Sequence, residues 1–511
     1  NLRSRASRAF YRSDRGVSPR SRKLGRELQV EILQIEITQD RSRSSPFAAL
    51  IDFAAEFPRD VACQHDAARN LRRREALAAR AAQYGRGAAD DAETLAARTV
   101  TLPDGEVIHR WHQPPRSQED LLKFVAMEEE MPGDAHGAMA AGITGLQIVA
   151  RKMDAKFGTA YTPRIDAYAE WYARNDLHGA FAMTDAKGDR SKPPSGQADP
   201  DLWVRVVERR ADGIVIRGAK TSVTSAALAN ELLVLPTHGM GPADADWSVA
   251  CAVPANAPGV VMISNYAGAP WGERFRFDKP VNHSTFHHDA TVIFNDVFVP
   301  NERVFMDGEF DHTRELLGYF TTLHRTGVLV REPRDTKKLI GAAQLMARYN
   351  GLENVGAIRS TIAEMIETAQ LLDALRYTAL NRVQIIEGLC VPDAVACNLA
   401  GLTITGRRDA FLTFLCELCG GPVLTAPSGL DLENPETAAL VRKYYVGKDG
   451  VGADERLRLV KYIYDLCASD ASGWTRASGV TAAGSPGARR VAVGRGFDLE
   501  GCVKAVLADL A

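Results

Sequence analysis

Residues 202–225, LWVRVVERRADGIVIRGAKTSVTS, contain the pattern that decides the fold. Val204 and Ile214 each begin an alternation of apolar and other residues, and the dipeptide Asp212-Gly213 lies between the two runs. Alternation with a period of two is typical of a half-buried β-strand, and Asp-Gly favours the tight turn of a hairpin. The sequence therefore predicts two antiparallel strands joined at this dipeptide.

More strands follow the hairpin. ELLVLPT (231–237), DWSVACAVPA (246–255) and GVVMISN (259–265) combine β-branched residues with turn residues at their ends. ATVIFNDVFVPNERVF (290–305) closes the region, and Pro300 ends its last strand. These segments predict a β domain in the middle of the chain.

Helical patterns lie on both sides of the predicted strands. SQEDLLKFVAMEEEM (117–131) begins with a serine followed three residues later by an aspartate, which resembles a helix N-terminal capping box. After the strands, the amphipathic segment 357–388 has the length of a bundle helix. We predict an α+β protein with four regions: an atypical Arg/Ser-rich extension (1–45), a helical domain (46–183), a β domain (184–310) and a helical bundle (311–511).

The composition excludes several classes of function. The chain has 511 residues, of which 45% are hydrophobic, and its net charge is −2. A near-neutral chain is not generally attracted to nucleic acid or anionic membranes, and no apolar run is long enough to span a membrane. The lack of a secretory signal and the sparse cysteines predict a cytoplasmic protein with reduced thiols.

Short catalytic motifs such as phosphate-binding loops and nucleophile elbows are absent. His283, His287 and His288 precede a strand, but histidines at this spacing are more often solvated or supporting groups than metal ligands. Cys416 and Cys419 form a C-x-x-C in an apolar run, which favours buried structural thiols. We predict no metal site.

A polar, kinked segment, TDAKGDRSKPP (184–194), lies between the helices and the strands. Gly188 permits a close approach to a ligand, while Lys187 and Arg190 supply charged donors. A hydroxyl-rich stretch, TSVTS (221–225), follows the hairpin and could bond the edge of a heterocycle. A solvated loop and an edge strand explain the same residues, so both interpretations stay open at this point.

Residues 184–220 resemble the flavin-binding region shared by 4-hydroxyphenylacetate 3-monooxygenases and 4-hydroxybutyryl-CoA dehydratases. Further matches follow in family order: RWHQPPRSQEDLL (110–122), VIFNDVFVPNERVF (292–305), LHRTG (323–327), LIGAAQLMARYNGLE (339–353), GGPVLTAPS (420–428) and AAGSPGARR (482–490). The resemblance implies FAD as the cofactor and a homotetramer. It also implies an acyl-CoA-dehydrogenase-like fold, with a helical domain, a β-barrel-like middle domain and a four-helix bundle.

The resemblance and the chemistry of the loop together predict two groups of FAD-binding residues. The groups are Thr184, Asp185, Lys187, Gly188, Asp189, Arg190 and Ser191, and then Val223, Thr224 and Ser225.

The sequence of the loop is more similar to the dehydratase branch than to the monooxygenase branch. The dehydratase branch resembles this chain but binds a [4Fe–4S] cluster through three cysteines and one histidine. The histidine matches His324, and the cysteine seven residues later falls on Arg331. The helix with the other two cysteines matches residues 133–145, which contain none. Because thiolates hold such clusters, we predict no iron–sulfur cluster.

The monooxygenase branch carries a phenol-activating Arg and Tyr in the same helix, where this chain has Ala, Gly, Ile and Thr, and its catalytic His falls on Phe181. We predict His324 and Arg325 as catalytic residues. We predict a dry substrate pocket from four apolar side chains, Met139, Ile143, Leu146 and Phe181.

Three functions fit these residues. The favoured one is a monooxygenase that uses reduced FAD, supplied by a separate flavin reductase, on a non-standard small-molecule or acyl substrate. The second is a redox-neutral dehydratase or isomerase of an acyl thioester, with His324 as base. The third is a flavin-binding protein without catalytic activity.

Overall fold

The strands follow the hydrophobic alternation of the sequence. The computed structural model of the chain describes residues 98–130, 135–267, 272–283, 287–482, 484–495 and 497–510, so the predicted extension at 1–45 lies outside the described residues. The strands are β1 (Thr99–Thr101), β2 (Val107–His109), β3 (Gly179–Ala182), β4 (Arg205–Arg210), β5 (Gly213–Thr224), β6 (Glu231–Val234), β7 (Val249–Pro254), β8 (Val260–Ala267), β9 (His287–Pro300), β10 (Val304–Asp307), β11 (Gln384–Ile386) and β12 (Leu389–Val391).

Two four-stranded sheets form the middle of the chain, with strand orders β10-β7-β6-β3 and β4-β5-β9-β8. The predicted hairpin is confirmed, because β4 and β5 pair antiparallel with Arg210 opposite Gly213. The long strand β9 pairs with β5 on one side and with β8 on the other. A Cβ at Gly213 would overlap the backbone of Val299 on β9, so this turn residue also permits close packing of the sheet.

Strand β3 lies in a segment that we expected to be helical. It pairs parallel with β6, so that Gly179 lies opposite Glu231 and Ala182 lies opposite Val234. Four residues are too few to display a period, and the partner strand comes much later in the sequence. Tertiary pairing therefore decides the conformation of this segment.

Helices precede and follow the strands. They are α1 (Gln118–Glu130), α2 (Ala135–Phe157), α3 (Tyr161–Arg174), α4 (Thr313–His324), α5 (Thr326–Tyr349), α6 (Gly356–Asn381), α7 (Ala394–Cys419), α8 (Pro422–Thr425), α9 (Gly429–Glu433), α10 (Ala438–Tyr444), α11 (Ala453–Cys467), α12 (Asp470–Thr481), α13 (Pro486–Arg495) and α14 (Leu499–Asp509). The order of helices, sheets and helices confirms the α+β fold class.

Helix α2 packs directly on the β region. Its side chains Leu146 and Val149 join Leu232 of β6 in the largest apolar cluster, where each is fully buried. A Cβ at Gly142 would lie 2.6 Å from a methyl carbon of Leu233, so small residues on α2 allow the helix to approach the sheet closely. Burying a large aliphatic side chain contributes about 1.5–3 kcal/mol, so this face is a major source of stability.

The long helices α5, α6, α7 and α11 pack together as the predicted four-helix bundle. Their apolar cluster includes Met346 of α5, Met365 of α6, Leu415 of α7 and Val460 of α11, all fully buried. Among the described residues, no helix is both long enough and apolar enough to cross a membrane.

Candidate functional site

A buried ion pair fastens the start of the polar loop to strand β5. Nζ of Lys220 donates to Asp185 Oδ1 at 2.5 Å, to the carbonyl of Met183 at 3.0 Å and to the carbonyl of Leu235 at 2.8 Å. Lys220 and Asp185 are 2% and 3% exposed. All three donors of the ammonium group are therefore used, which is what makes burial of the charge tolerable.

Lys220 is absent from the predicted site residues, although the sequence contains a signal for it. It follows Ile214, Ile216 and Gly218 at the same parity of β5, and those three residues are buried. A lysine at a core-facing position needs a buried partner, and Asp185 supplies it.

The exposed part of the loop closes on itself. Gln197 accepts a hydrogen bond from the backbone N–H of Asp189 at 3.0 Å and donates to the carbonyl of the same residue at 2.9 Å. Gly188 has a φ of +51°, and a Cβ there would overlap Leu202 and Gln197. Glycine at this position is therefore required by the fold of the loop itself.

The charged residues of the loop after Asp185 face solvent. The five residues from Lys187 to Ser191 are exposed: Lys187, Gly188, Asp189, Arg190 and Ser191. The Ser191 hydroxyl donates to Asp189 at 2.7 Å, and this hydrogen bond holds the pKa of the carboxyl below its usual value. Lys187 and Arg190 remain on the surface as two cations beside the ordered turn.

The start of the polar loop is bonded to β5 just before the second predicted group of cofactor residues. The N–H of Thr221 donates to the carbonyl of Thr184 at 2.7 Å. The pairing of β5 with β9 shifts its register between Lys220 and Val223, and Ser222 in between has a φ of +54°. The end of β5 therefore bulges beside the start of the loop.

The second predicted group has mixed roles. Val223 is 1% exposed and packs in the core. Thr224 donates its hydroxyl to Asp289 at 2.6 Å, and Ser225, with a φ of +61°, donates its N–H to the carbonyl of His288 at 2.8 Å. The backbone and hydroxyl groups here are ordered by β9.

Trp203 and His238, which the sequence motifs did not single out, lie next to the loop. Their rings stack with centres 5.0 Å apart and an interplanar angle of 16°. Burial lowers the pKa of His238 despite Asp185, which acts in the opposite direction; Lys220 and the loop cations lower it further. Trp203 is 6% exposed, and among the described residues its indole N–H has no hydrogen-bond partner.

The two predicted catalytic residues occupy the junction of α4 and α5. His324 is the last residue of α4, and its ring stacks on Phe320 and meets the edge of Phe181, with 5.5 Å between centres in each case. Phe181 also contacts Phe320 at 5.2 Å. The position that holds a catalytic histidine in the monooxygenase branch is thus part of an aromatic cluster around His324.

Arg325 points into the helical region beside a second arginine. It is 4% exposed, and burial together with the charge of Arg489 lowers its pKa to about 10. Arg489 of α13 donates to the carbonyl of Ala482 at 3.0 Å, and a Cβ at Gly401 would lie 2.7 Å from its Nη1. A glycine in α7 therefore makes room for this guanidinium group.

The four predicted pocket residues do not line one cavity. Met139 and Ile143 line a cavity of about 10 Å³ with Trp111, His112, Pro114, Ala140 and Tyr172. Leu146 lies in the apolar core, and Phe181 belongs to the aromatic cluster. Residues 139, 143 and 146 are spaced along one face of α2, which reaches from this cavity to the apolar core.

Within the described ranges, no three or more His, Cys, Asp or Glu side chains come close enough to hold a metal ion. His287 stacks on Trp474 with ring centres 3.7 Å apart, and Nε2 of His288 lies 3.0 Å from the Ser264 hydroxyl. Arg331, at the position of a cluster cysteine in the dehydratase branch, lies on α5 beside Glu332.

Residues 65–306 match the family described as 4-hydroxyphenylacetate 3-hydroxylase N terminal, and residues 313–510 match its C-terminal counterpart. The chain is 29% identical over 414 residues to 4-hydroxybutyryl-CoA dehydratase/vinylacetyl-CoA-Δ-isomerase from Clostridium aminobutyricum, covering 76% of this chain and 83% of that one. It is 28% identical over 360 residues to a 4-hydroxyphenylacetate 3-monooxygenase oxygenase component from Thermus thermophilus, covering 70% and 74%.

A solved structure shows the same fold. An oxygen-tolerant archaeal 4-hydroxybutyryl-CoA dehydratase from N. maritimus superposes with a TM-score of 0.74 at 27% identity, covering 82% of this chain and 86% of that one. The resemblance drawn from the motifs is confirmed. The chain belongs to the 4-hydroxyphenylacetate 3-hydroxylase family.

Proposed function

We propose that the chain is an FAD-dependent monooxygenase that receives reduced FAD from a separate reductase and oxidises a small, largely apolar substrate. The observation that carries the proposal is the buried Asp185–Lys220 pair, which fixes an ordered loop with two exposed cations, Lys187 and Arg190, beside the bulged end of β5. The relative from Thermus thermophilus is named as an oxygenase component, which supports both the reaction and the separate reductase.

The residues beside the loop fit a dinucleotide with hydrogen-bonding edges. Oδ2 of Asp185 and the indole N–H of Trp203 are buried, and neither has a hydrogen-bond partner among the described residues. A buried polar atom without a partner costs about 1–3 kcal/mol, and a bound heterocycle or ribose would remove that cost. Lys187 and Arg190 suit the phosphate groups.

In this proposal each protein group has a separate task. When bound, reduced FAD would be the group that reacts with molecular oxygen. Asp185 accepts a hydrogen bond from the cofactor through Oδ2, while Lys220 holds that carboxylate in place. Thr224 and Ser225, which are bonded to β9, fix the end of β5, and the stacked rings of His238 and Trp203 offer a flat surface.

The substrate side is apolar. Phe181 and Phe320 exclude water around His324, which can hold or move a proton at its ring nitrogens. Met139 and Ile143 on α2 line a separate small cavity that is also largely apolar. An apolar, water-poor pocket protects a reactive cofactor from unproductive reaction with water, which suits oxygen transfer.

The proposal is tested by rapid mixing. The purified chain with FAD is reduced without oxygen and then mixed with oxygenated buffer while the flavin absorbance is followed. We expect a spectral species between the reduced and oxidised forms that persists for seconds. Direct return to the oxidised spectrum, as for free FAD mixed as the control, would contradict the monooxygenase reaction.

A redox-neutral reaction on an acyl thioester is the second candidate. It is favoured by the 29% identity to a dehydratase and isomerase and by the match of His324 to the histidine of that branch. Proton exchange from D2O into crotonyl-CoA, abolished in His324→Gln, would support this reaction. The homotetramer implied by the resemblance stays a prediction.

A further inference from the structure

Two half-buried cysteines face each other where helices α7 and α11 meet. The thiol of Cys467, the last residue of α11, points at the carbonyl of Leu412 on α7, with 3.7 Å between Sγ and the oxygen. In a helix, that carbonyl accepts from the N–H of the residue four positions later, which is Cys416. Because side chains on a helix lean towards its N-terminus, the thiol of Cys416 extends back over the same turn. The two thiols therefore share one site between the helices.

A third thiol lies beside them. Cys419 is on α7 with Cys416 and is 2% exposed, inside the apolar cluster of the bundle. Burial raises the pKa of Cys467, and Cys416 and Cys419 raise it further by their charge, so the three thiols are neighbours. The buried structural role predicted for the C-x-x-C describes Cys419, whereas Cys416 and Cys467 are free thiols that keep part of their surface accessible.

The pair that can be joined by a bond is Cys416 with Cys467. The Cβ atoms of residues three apart on a helix are about 5–6 Å from each other, whereas a disulfide needs about 3.5–4.5 Å. Cys416 and Cys419 therefore cannot be bridged while α7 is intact. Cys467 lies on a different helix, and α11 ends at the following residue, Ala468. The backbone at Cys467 can therefore adjust to a bond without breaking a further helical turn.

We propose that Cys416 and Cys467 form a site of oxidation by hydrogen peroxide, at which a reversible disulfide cross-links α7 to α11. Peroxide is small and polar enough to reach half-buried thiols, and reduced flavins release it when they react with oxygen in the absence of a substrate. The inference goes beyond the proposed monooxygenase function, because peroxide from any source serves the reaction.

The oxidation takes place in two steps. The sulfur of Cys416 attacks one oxygen of the peroxide, the O–O bond breaks, and a sulfenic acid and one water form. The sulfur of Cys467 then attacks the sulfur of Cys416, the S–O bond breaks, and the leaving hydroxide takes the thiol proton as a second water. Two thiols lose two electrons, which reduce one peroxide. Cys467 reacts second, because its raised pKa keeps it protonated until the charge on Cys416 has been removed.

The cross-link would strengthen the junction between the bundle and the β region. Asp465, two residues before Cys467, accepts the backbone N–H groups of Val281 at 2.9 Å and of Asn282 at 2.8 Å. The end of α11 thus holds a segment that leads into β9. A disulfide at this end closes a loop of roughly 50 residues, which restricts the unfolded chain and so favours the folded one.

Peptide mapping tests the proposal. The full chain loaded with oxidised FAD is treated with a small excess of hydrogen peroxide, alkylated, digested and examined by mass spectrometry. We expect a peptide pair linked through Cys416 and Cys467 that dithiothreitol separates. The oxidised chain should unfold at a urea concentration higher by roughly 0.5–1 M. In Cys467→Ser the sulfenic acid should remain on Cys416, where dimedone labels it.

Cys502→Ser is the control, because Cys502 is an exposed free thiol on α14 and its removal should leave the cross-link unchanged. In the wild type, the same thiol reports how far the peroxide has acted. The proposal is overturned if no link between Cys416 and Cys467 forms at a peroxide concentration that fully oxidises Cys502, or if Cys416 is linked to Cys419 instead. The mapping is decisive on the wild type alone, so it holds even where a serine variant does not fold. An unchanged urea midpoint in the cross-linked chain would overturn the stabilising role of the bond.

Discussion

The loop proposed for FAD and the small cavity beside α2 are held together in different ways. Lys220, with three hydrogen-bond acceptors around its ammonium group, anchors the loop, and Gln197 closes it. Around the cavity, apolar and aromatic side chains dominate, and His112, which lies 3.0 Å from Asp176, is a polar member of the lining. Polar anchoring fixes the position of a loop through directed bonds, whereas apolar side chains hold the cavity by close packing.

Removing the charge of Lys220 should produce the largest effect. Lys220→Met leaves Asp185 buried without its partner, which costs about 3–5 kcal/mol of unfolding free energy. Urea unfolding and FAD affinity measure the loss. Lys192→Met is the control, because Lys192 pairs with Asp189 at the surface and such pairs contribute about 0–1 kcal/mol. Similar losses in both variants would show that burial does not distinguish the two pairs.

Replacing the glycine at the turn of the loop should have an intermediate effect on stability. Gly188→Ala adds the cost of a positive φ, roughly 1–2 kcal/mol, to the cost of displacing Leu202 and Gln197, and we expect about 2–3 kcal/mol in total. Gly158→Ala separates the two costs, because Gly158 has a φ of +70° with open space around its Cβ position. If urea unfolding shows the same loss in both variants, the close contacts of position 188 with Leu202 and Gln197 add nothing to the cost of the substitution.

The cavity region should show the smaller, pH-dependent effect. The pKa of His109 falls from 6.5 to about 4 in the folded chain, so the unfolded chain binds a proton first as pH falls. Above pH 6.5 the His109 side chain therefore does not lower the free energy of unfolding. As pH falls from 6.5 towards 4, this free energy decreases, by about 1–2 kcal/mol at pH 5 after allowing for partial exposure.

His109→Asn tests this dependence. In the wild type, the backbone N–H of Trp111 donates to Nδ1 of His109 at 3.3 Å. The amide oxygen of asparagine can accept this hydrogen bond but does not titrate. Urea unfolding at pH 7 and pH 5 should then show a flatter slope than in the wild type. An identical slope in the two proteins would assign the acid sensitivity to other groups.

Local patterns predicted the regular elements well. The alternation around Asp212-Gly213 gave the correct hairpin, and the long amphipathic segments gave the bundle helices. The end of the segment 357–388 was wrong, because α6 ends at Asn381 and Gln384–Ile386 form β11, which pairs with β12. Strand β3 and the short strands β1 and β2 escaped prediction, because three or four residues show no period and form only against a partner. The boundaries between the predicted domains, at 184 and 311, stay predictions.

The sequence by itself determined the order of helices and strands, the hairpin turn and the polar loop from 184, because contiguous residues set backbone conformation and periodicity. Only the tertiary structure decided that Lys220 holds Asp185 and that Arg325 lies against Arg489. The same holds for the contact between Asp176 and His112, a residue that lines the small cavity. These contacts join residues that are far apart in the chain, so their chemistry depends on distances that no local pattern encodes.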